Sequence, residues 1–309
     1  MPLLTKTIAA PMLVFLTLGY RAEQPPSSLS PAPKSGDTPP ATEGAKEKPA
    51  QPLATHKNSV GMTLVRLPQQ EVLIGSDDPS APSLRFKVTF TPTLWVSDAE
   101  TTQSQWKSLM DSNPSKVVGD DLPVTNITWD EATDFCKKLS TREKETYRLL
   151  TEAEWEYACR AGTTTAYSFG NSAATLGEYA WYNANSGGRV HSVRGKKPNP
   201  WMLYDMHGNV REWCSDWFVD PYPYTKGMAL VDPDGGSPQQ AAKTGKKLFE
   251  SAMRSVRGGD YSGLSAFALS GMRDSGNPAY RLDYYGFRVV RVIKDAKTDG
   301  TQLPQDATK

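Results

Sequence analysis

Apolar and polar positions follow a readable period in only part of this chain. Thr128-Trp-Asp-Glu131 and Thr151-Glu-Ala-Glu154 each set a threonine three residues ahead of a glutamate. This is the capping box, in which the two side chains satisfy otherwise orphaned N–H groups at a helix start. The first predicts a helix with Trp129, Ala132, Cys136 and Leu139 on one face. The second predicts a short helix that buries Trp155 and Ala158 and ends at Gly162. Upstream, residues 62–65 and 71–74, joined by Pro68-Gln-Gln, read as a hairpin, and residues 84–90 alternate as a further strand. From Thr163 onward turn residues dominate. Residues 203–217 have neither period: Leu203, Met206, Val210, Trp213 and Trp217 fall at irregular steps among Asp205, Asn209, Glu212 and Asp216. A backbone that buries tryptophans without a ladder must satisfy its polar groups otherwise. Two readings stay open here. Gly208-Asn209 is a structural turn pinned by tryptophan packing, or its carbonyls and the Glu212 carboxylate hold a hard cation such as calcium.

Composition narrows the class. The 309 residues carry a formal net charge of +1 and show no basic stripe, which excludes an electrostatic nucleic-acid binder. Twenty-four glycines and 24 prolines, with eight tryptophans and 13 tyrosines, predict a loop-rich fold held by aromatic packing. Lys6 followed by the apolar residues 8–18 reads as a signal peptide over 1–22, so the expected location is periplasmic or secreted. That apolar run is too short to span a bilayer, and no cysteine follows it to carry lipid. Residues 23–56, rich in Pro, Ser and Ala, read as a disordered tether. A single domain is expected over 57–294, with a polar tail over 295–309. Cys136, Cys159 and Cys214 allow one disulfide or three buried thiols.

Several long motifs in fixed order resemble the formylglycine-generating-enzyme (sulfatase-modifying factor) domain family. They are Asn58-Ser-Val-Gly-Met-Thr-Leu-Val65, Thr101-Thr-Gln-Ser-Gln-Trp106, Leu122-Pro-Val-Thr-Asn-Ile-Thr-Trp-Asp130 and Tyr147-Arg-Leu-Leu-Thr-Glu-Ala-Glu-Trp-Glu-Tyr157. Leu203-Tyr-Asp-Met-His-Gly-Asn-Val-Arg-Glu-Trp213, Arg257-Gly-Gly259 and Gly286-Phe-Arg-Val-Val290 complete the set. The resemblance implies an α+β, elaborated C-type-lectin-like fold with little regular secondary structure. It also implies calcium on the carbonyls of His207, Gly208 and Val210 with the Glu212 carboxylate, and less securely at Asn185 and Ser186.

Within that resemblance the chemistry departs. Oxidising relatives carry a copper-binding Cys-x-x-x-x-Cys pair after Arg-Gly-Gly; here those positions are Gly263 and Ala268, so copper is not expected. His56, His191 and His207 show no iron-ligand spacing, and non-haem iron is not expected either. Met202 and Arg211 replace a glycine and a tryptophan of the usual signature. The expected function is an exported binding or accessory module for a peptide, glycan or protein. The alternative is a diverged oxidase or maturation enzyme of the same superfamily acting on a peptide or thiol. Groove candidates are Asp260, Tyr261, Ser265 and Arg273, with His207 nearby.

Overall fold

The computed structural model describes residues 52–69, 71–75, 85–219, 229–234 and 252–293. The expected signal peptide, most of the tether and the tail lie outside them. The strands are β1 (Thr55–Lys57), β2 (Thr63–Arg66), β3 (Val72–Ile74), β4 (Phe86–Thr89), β5 (Thr93–Ser97) and β6 (Thr146–Leu149). They continue with β7 (Arg211–Trp217), β8 (Ala229–Val231), β9 (Arg254–Arg257), β10 (Asp274–Gly276), β11 (Tyr285–Gly286) and β12 (Val289–Ile293). The α-helices are α1 (Gln103–Lys107), α2 (Trp129–Glu143), α3 (Glu152–Arg160) and α4 (Leu176–Tyr179). Among the described residues three sheets result, in the orders β1-β2-β5-β12-β6, β10-β9-β7-β11 and β3-β4-β8.

Both predicted capping boxes form, on Thr128 with Glu131 and on Thr151 with Glu154. A third, Thr102 with Gln105, opens α1. On α2 the buried residues are Ala132, Phe135, Cys136 and Leu139. Helix α3 stops at Arg160, and Ala161 takes the left-handed cap at φ 48° ahead of Gly162.

The hairpin expected from residues 62–65 and 71–74 is not there. β2 pairs with β1 and β5, whereas β3 pairs with β4 in another sheet. The short spacing suggested a turn, but β1 and β5 fill both edges of β2, so β3 pairs elsewhere. The first strand starts at Thr55, inside the stretch read as tether, because Thr55 and His56 pair with Val65 and Leu64.

The aperiodic run 203–217 also resolves differently, since its second half is strand β7. Adjacent residues serve opposite cores: Trp213 joins Trp106, Phe135 and Phe287, while Cys214 joins Trp155, Ala158 and Met206. Leu64 and Val65, and Val289 and Val290, divide in the same way. A strand buried on both faces loses the apolar–polar alternation that announces a half-buried one. A register shift between Trp213 and Trp217 blurs the pattern further. The three cysteines are all buried free thiols. Burial pushes Cys159 up to about 12, so it is unreactive. No helix among the described residues is long and apolar enough to cross a membrane.

Candidate functional site

The Gly208–Asn209 turn leads into β7 and organises a buried polar centre. Asn209 donates its N–H to the Trp181 carbonyl at 2.8 Å, and its φ is 61°. A Cβ on Gly208 would stand 2.3 Å from the Trp181 carbonyl oxygen, so only glycine fits there. The Asn209 side chain donates to Glu100 Oε2 at 2.7 Å, and the Val210 N–H donates to Glu100 Oε1 at 3.0 Å. Glu212 faces elsewhere. Arg288 Nε and Nη2 each donate to it at 2.7 Å, and Trp155 Nε1 does so at 2.7 Å. Asp205 accepts the Arg194 N–H at 2.7 Å on Oδ2, while its buried Oδ1 has no partner. Burial, with Asp205 and Glu212 nearby, raises Glu100 well above the usual carboxylate range. Burial likewise raises Asp205 to about 6.

These contacts decide how far the expected calcium ligands fit. Glu212 is neutralised by Arg288 and turns towards it, so a cation on the turn would have to share that carboxylate with a guanidinium. At the second position, Asn185 Oδ1 accepts the Tyr182 N–H at 2.9 Å and the His191 ring meets the Ser186 carbonyl at 2.7 Å. Each of these two oxygens already accepts one hydrogen bond in a local staple. The unpartnered Asp205 oxygen, by contrast, is the feature that a cation would satisfy.

His207, between the turn and the following loop, is buried. The Ala268 carbonyl, an acceptor only, lies 2.8 Å from Nδ1, which fixes the proton there. Nε2 then accepts from Ser168 Oγ at 2.8 Å. Burial lowers His207 to about 4, so the ring is neutral at physiological pH. Ser168 and His207 are each 2% exposed, which makes this pair a packing element with no access for a substrate. Ala268 is equally buried, and Gly263 donates its N–H to the Asp260 carbonyl at 3.0 Å in a tight turn.

Arg211, at the head of β7, fills the space beside that loop. Its Nε donates to Asp260 Oδ2 at 2.6 Å, and Nη1 pairs with Asp274. Its guanidinium lies 5.7 Å from the Phe267 ring centre and 5.8 Å from that of Tyr284. A small hollow of about 10 Å³, room for about one water, opens here, bounded by Arg211, Gly258, Gly259, Phe267, Met272 and Asp274. The exposed side chains of Leu264 and Phe267 belong to the same loop.

The groove candidates divide between these features. Asp260 meets Arg211, and Tyr261 holds the loop to the turn by donating its N–H to the Asn209 carbonyl at 2.8 Å. Burial pushes its phenol up to about 12. The Ser265 carbonyl accepts from Tyr167 Oη at 3.1 Å. Arg273 belongs to a different group, with Nε 2.7 Å from buried Glu152 and no part in the cavity lining. Sequence reasoning missed Glu100, Asp205 and Arg288. Their partners lie far along the chain, and no local spacing announces a contact between residues 110 positions apart, as between Glu100 and Val210.

Residues 47–293 match the model of the sulfatase-modifying factor enzyme 1-like domain. The chain is 30% identical to the chaperone protein LppX of Paenibacillus barcinonensis, over 41% of this chain and 64% of that protein. It is 33% identical to the formylglycine-generating enzyme of Streptomyces coelicolor, over 45% of this chain and 42% of that protein. The match thus spans less than two thirds of either relative. Among solved structures, Treponema denticola variable protein 1 superimposes with a TM-score of 0.66 at 28% identity, covering 77% of this chain and 98% of that one.

Proposed function

Because the chain belongs to the sulfatase-modifying factor enzyme 1-like domain family, we propose that it is an accessory module that binds a polypeptide beside Arg211 and makes no formylglycine. The observation that carries this reading is the loop after Arg257-Gly-Gly259. Gly263 and Ala268 stand where oxidising relatives place a cysteine pair, and neither offers a thiolate to copper(I). Ala268 is buried, with its carbonyl committed to His207. The hollow next to it remains, with a polar wall at Arg211 and Asp274 and an apolar one at Phe267 and Met272. That hollow is too small for a side chain, but the exposed Leu264 and Phe267 beside it offer an apolar surface to an extended peptide. A relative named as a chaperone protein supports a polypeptide as the ligand.

Two measurements test the reading. A Cys-x-Pro-x-Arg peptide incubated with the protein, copper and oxygen should show no aldehyde by mass spectrometry; turnover above a protein-free control would overturn the loss of chemistry. A peptide array should show binding that Phe267→Ala and Met272→Ala both weaken. Equal binding by the variants would place the ligand elsewhere.

A further inference from the structure

Arg160, Arg257 and Arg288 are buried arginines that each face an acid, Glu156 for the first two and Glu212 for the third. Arg254, on β9, is placed differently. Its guanidinium carbon lies 3.6 Å from the ring centre of Trp129 and 3.6 Å from that of Trp217, so one indole covers each of its faces. The strand register sets Trp217 opposite Arg254. Trp129, the first residue of α2, is fixed by donating Nε1 to the Cys214 carbonyl at 2.7 Å. Arg254 Nη1 donates to the Ser215 carbonyl at 2.7 Å, and Nε is buried without a partner. Nη2 has no partner either, yet it is not sealed from solvent. Arg254 and both tryptophans are half-buried, so the edge that carries Nη2 is open.

No carboxylate among the described residues touches this guanidinium. Asp130 and Asp216 act on it from further off, and burial takes it down to about 10, so it stays charged at physiological pH. Asp216 does not answer it, because burial pushes that acid up to about 8 and keeps its proton on. A cation stripped of water on both faces, fixed in direction and open along one edge is pre-organised for an anion. We propose that Arg254, gripped between Trp129 and Trp217, is the receptor for a carboxylate on a ligand that docks where α2 starts over β9. One carboxylate oxygen matches the single open edge. The exposed carboxylate of Asp130, next to Trp129, opposes a doubly charged anion such as phosphate. On a polypeptide the group is an Asp or Glu side chain or the chain terminus. The receptor does not depend on the apolar surface at Leu264 and Phe267, and it stands if that surface binds nothing.

Titration of the isotope-labelled full chain with sodium acetate, against sodium chloride at equal ionic strength, tests the receptor through the indole N–H resonances of Trp129 and Trp217. Both should shift saturably with acetate and not with chloride, and inorganic phosphate should bind no more tightly than acetate. Arg254→Met should lose the response; if that variant does not fold, the wild-type comparison of acetate with chloride decides alone. A peptide array in paired forms, with Glu or Asp against Gln or Asn and free against amidated termini, identifies the carrier. Neutralising the carboxylate should weaken wild-type binding about tenfold. Indole signals that acetate leaves unmoved would overturn the proposal, even if the array finds ligands. Tighter binding of phosphate would overturn the choice of carboxylate, and a full acetate response in Arg254→Met would overturn the role of Arg254. Paired peptides that all bind alike would also count against it. An array with no binder at all would refute the polypeptide reading, and the acetate titration would still decide this one.

Discussion

Two buried clusters of carboxylates and arginines lie on either side of Cys214 in β7, and they are balanced differently. Around α3, Glu156 takes Arg160 at 2.8 Å and Arg257 at 2.6 Å, while Glu152 takes Arg273 at 2.7 Å. Burial works to raise both acids, but the three guanidinium groups outweigh it and hold them below the usual range. At the turn only Glu212 meets a guanidinium directly, Arg288 and Arg194 act on Glu100 and Asp205 from further off, and those two acids rise instead. Burial alone therefore does not set the charge state. The arginines in direct contact with each acid decide it.

The sharpest way to break the contrast is to impoverish the rich cluster. Arg257→Met should cost about 3–5 kcal/mol in urea denaturation, because Glu156 and Glu152 each lose a buried partner. A cost below about 1 kcal/mol would mean that pairing does not sustain the α3 cluster.

Asp216 is the exception within that cluster, and pH exposes it. It accepts the Glu152 N–H at 2.8 Å, leaves Oδ1 unpartnered, and is pushed up to about 8 by burial and by Glu152. The native carboxyl keeps its proton up to about pH 8, whereas the unfolded chain releases it near pH 4. Its contribution is present at low pH and is lost as pH rises through that window. Asp216→Asn should flatten this decline and be more stable than wild type at pH 8.5 by roughly 1–3 kcal/mol. Parallel stability–pH curves for the two proteins would refute the assignment.

A smaller effect separates pairing from placement. Thr151→Ala removes the cap that starts α3 and should cost about 1 kcal/mol, without changing how stability varies with pH. A change in that pH profile would show that the cap, and not the arginines, holds Glu152 and Glu156 in register. The smallest effect is expected at the surface. Lys107 and Asp120 meet at 2.6 Å in solvent, and Lys107→Met should stay within about 0.5 kcal/mol of wild type. A larger loss would undo the distinction between buried and exposed pairs on which the comparison rests.

What the sequence disclosed follows from the range of the interactions involved. Capping boxes act over three residues, so the starts of α2 and α3 were legible, as was the strand around residues 86–89. The long ordered motifs carried the family and, through it, the fold. Strand β7 was hidden because Glu212 and Asp216 point inward beside Cys214 while Trp213 points to the other core, which reverses the polar-outward rule. The partners of Glu212, Asp205 and Glu152 were illegible because they are brought together only by the finished topology. Arg273, a groove candidate, turns instead to Glu152, where a buried carboxylate accepts it.

The order of the five-stranded sheet bears on how the molecule is made. β12 lies between β5 and β6, pairing Val292 with Leu94 on one side and with Thr146 on the other. Until this late-synthesised strand leaves the ribosome, two inner edges of the sheet stand open. Arg288, one residue before it, is absent for the same interval, so Glu212 waits without its counter-charge. Nearly all of the domain is therefore translated before its central layer can close, a high-contact-order topology that folds slowly and exposes unpaired edges meanwhile. A nascent chain stalled just short of Arg288 should be open to protease throughout, and release of the last few residues should convert it to a resistant form in a single step.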